Sequence, residues 1–320
     1  RVPIDELLRA PATDPDLRHR LAEAQSIRDF ASRELGLPDN GSYRAYADLG
    51  RPYAVWNVFA APELSLQAKE WCLLVVGCVS YRGYYDRRAA ERLAAELRDE
   101  GYDTYVGSVP AYSTLGHFDD PVLNTFLRLG TLAVARTVFH ELAHQIVFVP
   151  GDTPFNESFA TAVEEEGLRR WLRTHGSSEQ RAADSAQRQR RAALMTLLQS
   201  HRERFAALYA SALPLAEKRA AKAALFAALR SDRTALLAAW GGHGGDDRSA
   251  ADDLNNARLA SLALYSELVP AFERLLANQD HDLPRFYREV AGLATLAARD
   301  RHAALRSEER RVGKECRSRW

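Results

Sequence analysis

The spacing of apolar residues along the chain predicts its helices and strands. Across residues 4–35, apolar side chains recur at intervals that fit a helix. Valine and aromatic residues cluster in three later stretches, which we expect to be strands: 53–59, 71–81 and 102–113. Pro110 favours an edge position for the last of these, because proline cannot donate a hydrogen bond to a neighbouring strand. A charged amphipathic segment at 87–100 predicts a helix between the last two strands.

The second half of the chain has a helical pattern. Helices are predicted at 131–149, 155–175, 179–212, 214–240, 251–277 and 283–299. The glycine-rich stretch 241–249 indicates a loop, and its single histidine is more typical of a solvated loop than of a metal site. We therefore expect a mainly helical protein with a small sheet in its first half.

A metal-binding motif lies in the most apolar of these helical segments. Residues 140–144 read His-Glu-Leu-Ala-His. On a helix, His140 and His144 are one turn apart on one face, so both imidazoles can reach the same metal ion. Glu141 is placed to hold a proton beside water that the metal activates. The alternative is an ordinary helix with two half-buried histidines. It is disfavoured because burying a polar group without a partner in apolar surroundings costs free energy.

Two histidines leave a catalytic zinc site one protein ligand short. The next helix offers Glu157 and Glu164, which share a face with Thr161 at spacings of four and three residues. Twelve residues separate His144 from Glu157, and nineteen separate it from Glu164. Either glutamate can therefore point at the metal helix.

Residues 155–164 read Phe-Asn-Glu-Ser-Phe-Ala-Thr-Ala-Val-Glu and resemble the Asn-Glu-Gly-Phe-Ala-x-x-x-Glu helix of the gluzincin aminopeptidases. The chain more closely resembles a bacterial family of cell-envelope proteins described as predicted aminopeptidases. The matching stretches are the motif region and residues 42–49, 55–63, 80–84, 111–121 and 254–259. The resemblance implies a zinc metallopeptidase with one Zn²⁺ per chain and a peptide substrate.

The resemblance also implies which residues surround the zinc ion. Glu157 takes the place of the third ligand, because it follows Asn156 as in the gluzincin pattern. Glu164 then orients a ligand histidine through its other ring nitrogen. Asn156 and Thr161 are expected to support these two carboxylates from the same helix.

Substrate contacts follow from the same resemblance. Tyr265, or else Tyr209, is expected to steady the oxyanion with its hydroxyl, although either tyrosine can instead pack in the helical core. Residues 105–113 are the candidate strand for pairing with an extended peptide, and a plain core strand is the alternative. The residues expected to touch substrate are Tyr112, Ser113 and Asn256.

These elements predict an α+β fold that is mostly α-helical. A small N-terminal mixed α/β lobe, with a sheet next to the zincin-type HExxH helix, is followed by a helical C-terminal lobe. We expect one metallopeptidase domain that comprises an α/β lobe (1–120), a zinc-binding helix pair (121–176) and a helical lobe (177–305). With 320 residues and 46% hydrophobic composition, the chain can bury a sizeable core.

Charge and hydropathy argue against two classes of partner. The formal net charge is zero, and no basic patch indicates a nucleic acid. No stretch of about 18 uncharged apolar residues is present, so we expect no transmembrane segment in this chain. The resemblance implies a place in the cell envelope, at the periplasmic face of a Gram-negative bacterium, with a lipid anchor on a preceding segment.

The final stretch, residues 306–320, departs from the alanine-leucine pattern and resembles the translation of a sequencing-library adapter. We expect it to be non-native and to lie outside the fold. Leaving out its six basic and three acidic residues changes the formal net charge from 0 to −3.

Cys72 and Cys78 remain when that stretch is set aside. On one straight strand they would lie roughly 20 Å apart and could not bond. A turn near Gly77 would bring them together. Free thiols and a disulfide are therefore both open.

The chemistry we expect is metal-assisted peptide hydrolysis with Glu141 as general base. The sequence has no Gly-x-Met-Glu-Asn run of the kind that anchors a free amino terminus in gluzincin aminopeptidases. An endopeptidase of the cell envelope is therefore open beside an aminopeptidase. A non-catalytic binding protein that keeps a metal for structure is disfavoured, because a purely structural site has no use for the carboxylate of Glu141.

Overall fold

The structure is a computed structural model that describes residues 1–73, 77–241, 254–265 and 267–315. It is 62% helical with small sheets, which confirms the expected α+β, mostly helical class. The strands are β1 (Val2–Pro3), β2 (Ala45–Ala47), β3 (Val55–Pro62), β4 (Trp71–Leu73), β5 (Gly77–Val79), β6 (Arg82–Tyr84), β7 (Tyr102–Val109) and β8 (Val122–Leu123). The helices are α1 (Ile4–Arg9), α2 (Pro15–Leu35), α3 (Arg87–Asp99), α4 (Asn124–Leu127), α5 (Thr131–Ala143), α6 (Thr153–His175), α7 (Ser178–Ala210), α8 (Leu215–Ala239), α9 (Asn256–Leu264), α10 (Val269–Asn278), α11 (Leu283–Ala294) and α12 (Ala298–Glu315).

Three predicted helices are each divided in two. The segment 4–35 breaks between α1 and α2, where Asp14 caps the new helix at the backbone N–H of Leu17 and Pro15 occupies its first turn. The segment 251–277 breaks between α9 and α10, and the predicted helix 283–299 ends at Ala294 before α12 begins. At the first of these breaks the local start signal takes precedence over the continuous apolar pattern.

A three-stranded antiparallel sheet of order β6-β3-β7 supports one side of the molecule. Alternate residues of β3 pack on opposite faces: Val58 and Ala60 lie against α3, whereas Phe59 and Ala61 lie against α9. The predicted edge position of β7 is confirmed. The strand is shorter than expected and ends at Val109, immediately before Pro110.

The single strand predicted at 71–81 is wrong. The chain forms an antiparallel hairpin in which Cys72 on β4 lies opposite Cys78 on β5. The two cysteines are joined in a disulfide with their Cα atoms 3.8 Å apart. Of the two alternatives that the sequence left open, the structure has the disulfide.

Helix α5 lies in the main hydrophobic core, between α2 and α6. Val138, Phe139 and Leu142 of α5 are fully buried in it. Gly167 of α6 permits this close packing, because a Cβ atom there would lie 2.7 Å from both Leu35 and Phe139. The two helices that carry the motif are therefore held in fixed relation.

Helices α7 and α8 pack on each other around a second cluster that includes Phe205 and Phe226. Ion pairs from α8 to the sheet hold this pair of helices in place, with Lys222 Nζ 2.7 Å from Asp103. The predicted loop 241–249 lies outside the described residues except for Gly241. Helix α12 continues into the 306–320 segment as far as Glu315, where the sequence pattern predicted no helix.

No helix in the described part of the chain combines the length and apolar character needed to cross a membrane.

Candidate metal centre

The two halves of the centre come from α5 and from the first turns of α6. His144 caps the C-terminus of α5 and keeps helical backbone angles, so it remains one turn from His140. The helix predicted at 131–149 is therefore shorter, ending at Ala143. Asn156 explains the tight connection to α6, because its side-chain amide hydrogen-bonds to both the N–H and the C=O of Val149, at 2.8 Å each.

Three side chains converge on one point. Nε2 of His140 lies 3.2 Å from Oε2 of Glu157, and Nε2 of His144 lies 3.9 Å from Oε1 of the same carboxylate. All the candidate ligand atoms of these three residues lie within 4.8 Å of one another. Among the described residues, these three side chains form a group that could hold a metal ion.

Glu164 approaches the opposite side of the His140 ring. Its Oε2 lies 3.1 Å from Nδ1 of His140, and its Oε1 accepts a 2.9 Å hydrogen bond from Arg136. Arg136 also binds Glu165 and Asp184, at 2.8 and 2.9 Å. One guanidinium therefore connects the side chain that orients His140 to helices α5, α6 and α7.

Burial and close contacts shift the pKa values of all three converging residues. Burial acts to lower the pKa of His140, but hydrogen bonds to Glu157 and Glu164 outweigh it and raise that pKa well above its usual value. Burial lowers the pKa of His144 to about 4, so this ring is neutral and has a lone pair to offer. Burial acts to raise the pKa of Glu157, but its bond to His140 reverses this, and the carboxylate is ionised.

The donor set consequently fits a divalent transition metal. Two imidazole nitrogens and one carboxylate oxygen are a ligand set of catalytic zinc sites. The Nδ1 atom of His144 is buried and has no hydrogen-bond partner among the described residues, so this ring is less firmly oriented than that of His140.

Glu141 has the pKa that a proton carrier needs near neutral pH. Burial raises the pKa of Glu141 to about 7, an effect opposed by His140 and reinforced by Glu157, Asp120 and Glu164. A carboxyl group that titrates near the working pH can both accept and return a proton.

Tyr265 and Tyr81 lie within the electrostatic influence of the centre. Tyr265, which follows α9, has its pKa raised well above 10.0 by burial and by the charges of Glu157 and Glu141. Tyr81, which follows β5, has its pKa raised for the same reasons. Both phenols are therefore neutral and able to donate a hydrogen bond.

Tyr209 and Asn256 are hydrogen-bonded to each other, and Asn256 is also hydrogen-bonded to the end of β3. The Tyr209 hydroxyl donates a 2.7 Å hydrogen bond to Oδ1 of Asn256. The Asn256 side chain also donates to the C=O groups of Pro62 and Glu63, at 3.1 and 2.8 Å, and the residue is completely buried. Asn256 thus attaches α9 to the end of β3, and its contact with substrate stays a prediction.

The remaining candidates are placed as follows. Ser113 forms a local turn in which its hydroxyl accepts a 3.1 Å hydrogen bond from the N–H of Leu115. The ring of Tyr112 packs edge-on against Tyr85, with centroids 6.1 Å apart. Thr161 is buried, one turn beyond Glu157 on α6.

Sequence reasoning missed three residues that surround Glu141 or Glu157. Besides Tyr81, these are Asp120 and Tyr43, a fully buried tyrosine whose pKa is raised by burial and by Glu141. All three lie in stretches that carry the family resemblance, at 42–49, 80–84 and 111–121. Their position in those stretches is the signal that could have found them.

Comparison with known proteins identifies the family. No curated protein and no solved structure matches the chain. One family model, described as "Putative aminopeptidase", matches residues 1–305. The aminopeptidase resemblance read from the sequence is thereby confirmed at the level of the family. The chain belongs to this aminopeptidase family, whose name indicates hydrolysis of peptides.

Proposed function

We propose that the protein is a zinc-dependent peptide hydrolase. The observation that carries the proposal is the convergence of His140, His144 and Glu157, whose ligand atoms lie within 4.8 Å of one another. The carboxylate of Glu164 on the far side of the His140 ring supports it, because catalytic zinc sites commonly orient a ligand histidine in this way.

The roles of the residues follow from their positions. When bound by His140, His144 and Glu157, zinc would supply Lewis acidity for the attack of water on a peptide carbonyl. Glu141 accepts the proton of the attacking water and returns it to the leaving amine, for which a pKa of about 7 is well suited. The neutral phenols of Tyr265 and Tyr81 are candidates to donate a hydrogen bond to the oxyanion.

Glu141→Gln tests the proposal. We expect this variant to keep about one zinc per chain but to lose hydrolysis by several orders of magnitude, because glutamine cannot carry the proton. Zinc is measured by elemental analysis and activity with a peptide library. Glu289→Gln, on the exposed side of α11, is the matched control. Near-normal kcat in Glu141→Gln would refute the role of Glu141 and favour a non-catalytic binding protein.

The position of the cleaved bond separates the two peptidase classes. An aminopeptidase cleaves peptides with a free amino terminus and spares the same peptides when that terminus is acetylated. An endopeptidase of the cell envelope cleaves both. Mass spectrometry of the products from such matched pairs decides between them.

We also propose that the protein works in the cell envelope. The Cys72–Cys78 disulfide supports this, because structural disulfides form and persist mainly outside the reducing cytosol. Cell fractionation combined with thiol alkylation tests it. A protein found in the cytosol with both thiols reduced would refute the location.

A further inference from the structure

A cavity of about 1100 Å³ lies between α6, α7, α9 and α10. Thr161 and Tyr265 are among the residues that line it. Thr161 is one helical turn from Glu157, and the pKa of Tyr265 is influenced by Glu157 and Glu141. A molecule in this cavity would therefore adjoin the residues that we assign to hydrolysis.

Several of the arginines that line the cavity are already paired with carboxylates. Arg191 lies 3.1 Å from Glu165, and Arg188 lies 3.2 Å from Asp184. Arg169 forms an ion pair with Glu166. These pairs leave little net charge to attract a ligand.

Arg202 differs from these arginines. Its Nη1 donates a 2.9 Å hydrogen bond to the C=O of Leu259, and it forms no ion pair with any residue that the structure describes. Its neighbours on the cavity wall include apolar side chains of α7 and α9: Met195, Leu198, Leu259 and Leu262. Burial lowers the pKa of Arg202, and the charge of Glu267, which also lines the cavity, opposes this shift. Most of its N–H donors are thus available to a ligand.

The chemistry of this wall specifies the ligand. A guanidinium presents its donors as a planar fork that matches a carboxylate, and Arg202 is the cavity arginine that we expect to be open to such a ligand while apolar side chains beside it contact the rest of the molecule. Resting on the proposed function, we infer that the cavity receives the carboxyl-terminal part of a short peptide, with a carboxylate of that peptide bound by Arg202.

The position of Arg202 sets the length of that peptide segment. Leu259, to which Arg202 is bonded, precedes Tyr265 by six residues, or about 9 Å along a helix axis. An extended peptide covers about 3.3–3.6 Å per residue. The carboxylate is therefore expected about two or three residues from the part of the peptide that lies beside Tyr265.

The test compares alanine tetrapeptides that differ only at the carboxyl end. The zinc-loaded protein is given the free acid, the C-terminal amide, and an amide whose last residue is aspartate. We expect kcat/KM for the free acid to exceed that for the plain amide by about 10- to 100-fold, mainly through KM, because a charge-assisted hydrogen bond is lost. Arg202→Met should abolish the preference, so that the free acid is hydrolysed no faster than the amide. Arg202→Lys should retain part of it.

Arg204→Met is the matched control, because Arg204 lies on the same helix but not on the cavity wall. It should keep the full preference, and melting temperatures show that all variants are folded. Equal rates for acid and amide in the unaltered protein, or an undiminished preference in Arg202→Met, would overturn the inference. Full recovery with the aspartyl amide would overturn the assignment to the terminal carboxylate and place an acidic side chain there instead.

A binding measurement tests this inference independently of the proposed function. Calorimetry with the Glu141→Gln variant measures the affinity for the acid and the amide without turnover. Tighter binding of the acid that requires Arg202 would uphold the carboxylate site even if no peptide is hydrolysed. Equal binding of acid and amide would overturn it, whatever the activity.

Discussion

Nδ1 of His140 lies 3.1 Å from Oε2 of Glu164, on the side of the ring that faces away from Glu157. Nδ1 of His140 therefore faces Glu164, and Nε2 faces Glu157; both glutamates belong to α6. The nitrogen that faces Glu157 and His144 is the one available to a metal. The other holds the ring in place.

The first prediction concerns these two glutamates. Glu164→Gln should weaken zinc binding by about 10- to 100-fold, because it removes a group that orients a ligand. Glu157→Gln should weaken it much more, because it removes a ligand and a negative charge. Dissociation constants are measured by competition with one chelator. A Glu164→Gln protein that loses its zinc while Glu157→Gln keeps it would reverse the two assignments.

The second prediction concerns Arg136, which binds Glu164, Glu165 and Asp184. Arg136→Met should lower the free energy of unfolding by about 3 kcal/mol, because it removes the cation that three largely buried carboxylates share. It should also weaken zinc binding by about 10-fold, because Glu164 loses its support.

Arg191→Met is the control for Arg136, since Arg191 binds Glu165 but not Glu164 and is 44% exposed. Its effect on unfolding should stay below about 1 kcal/mol, with zinc affinity unchanged. Normal zinc affinity in Arg136→Met would show that Glu164 does not need this support.

The third prediction is a pH dependence of stability that arises from Asp152. Burial acts to raise the pKa of Asp152, but hydrogen bonds and charge from His302 and Arg301 outweigh it and hold the pKa below 3.8. Ionised Asp152 therefore stabilises the fold above pH 3.8, and this contribution is lost as the pH falls through the lower pKa of the folded state. Asp152→Asn should cost about 3 kcal/mol at pH 7 and progressively less below pH 3.8.

Asp282→Asn controls for the helix cap, because both aspartates cap a helix and asparagine does so equally well. Asp282 has no buried arginine partner among the described residues. Urea unfolding at several pH values measures both variants. A constant difference between Asp152→Asn and the parent at every pH would contradict the prediction.

The fourth prediction concerns the segment 306–320. Its described contact with the rest of the chain is an ion pair of Arg306 with Glu267, 3.3 Å long and about half exposed on both sides. Deleting the segment should lower the free energy of unfolding by at most about 1 kcal/mol and leave activity unchanged. Leu305→Ala should cost about 2–5 kcal/mol by contrast, because Leu305 is fully buried. Equal losses of melting temperature in the two proteins would show that the segment is native structure.

The helix pair of the centre was predictable because its signals are local. The one-turn spacing of His140 and His144, the loop residues that follow and the shared face of Glu157 and Glu164 are properties of short segments. Helical geometry then fixes which side chains can meet.

Other features depend on contacts between distant segments and could not be read from spacing. Arg136 and Asp184 are 48 residues apart, and only the packing of α5 against α6 and α7 brings them together. The pairing of β4 with β5 was left open because the sequence between Cys72 and Cys78, Leu-Leu-Val-Val-Gly, is apolar and offers a turn signal at Gly77 alone. The division of the chain at residues 120 and 176 stays a prediction.

The pair of Asp152 and Arg301 has a consequence for how the protein is made. Asp152 begins the helix that bears Glu157, and its buried partner is 149 residues further along the chain. While the ribosome is still synthesising the second half, both motif helices are complete, but the first turn of α6 lacks its neutralising cation. The centre therefore becomes fully stable only after residue 301 has been made and docked. Any chain that is released earlier would hold Glu157 on an unsecured helix.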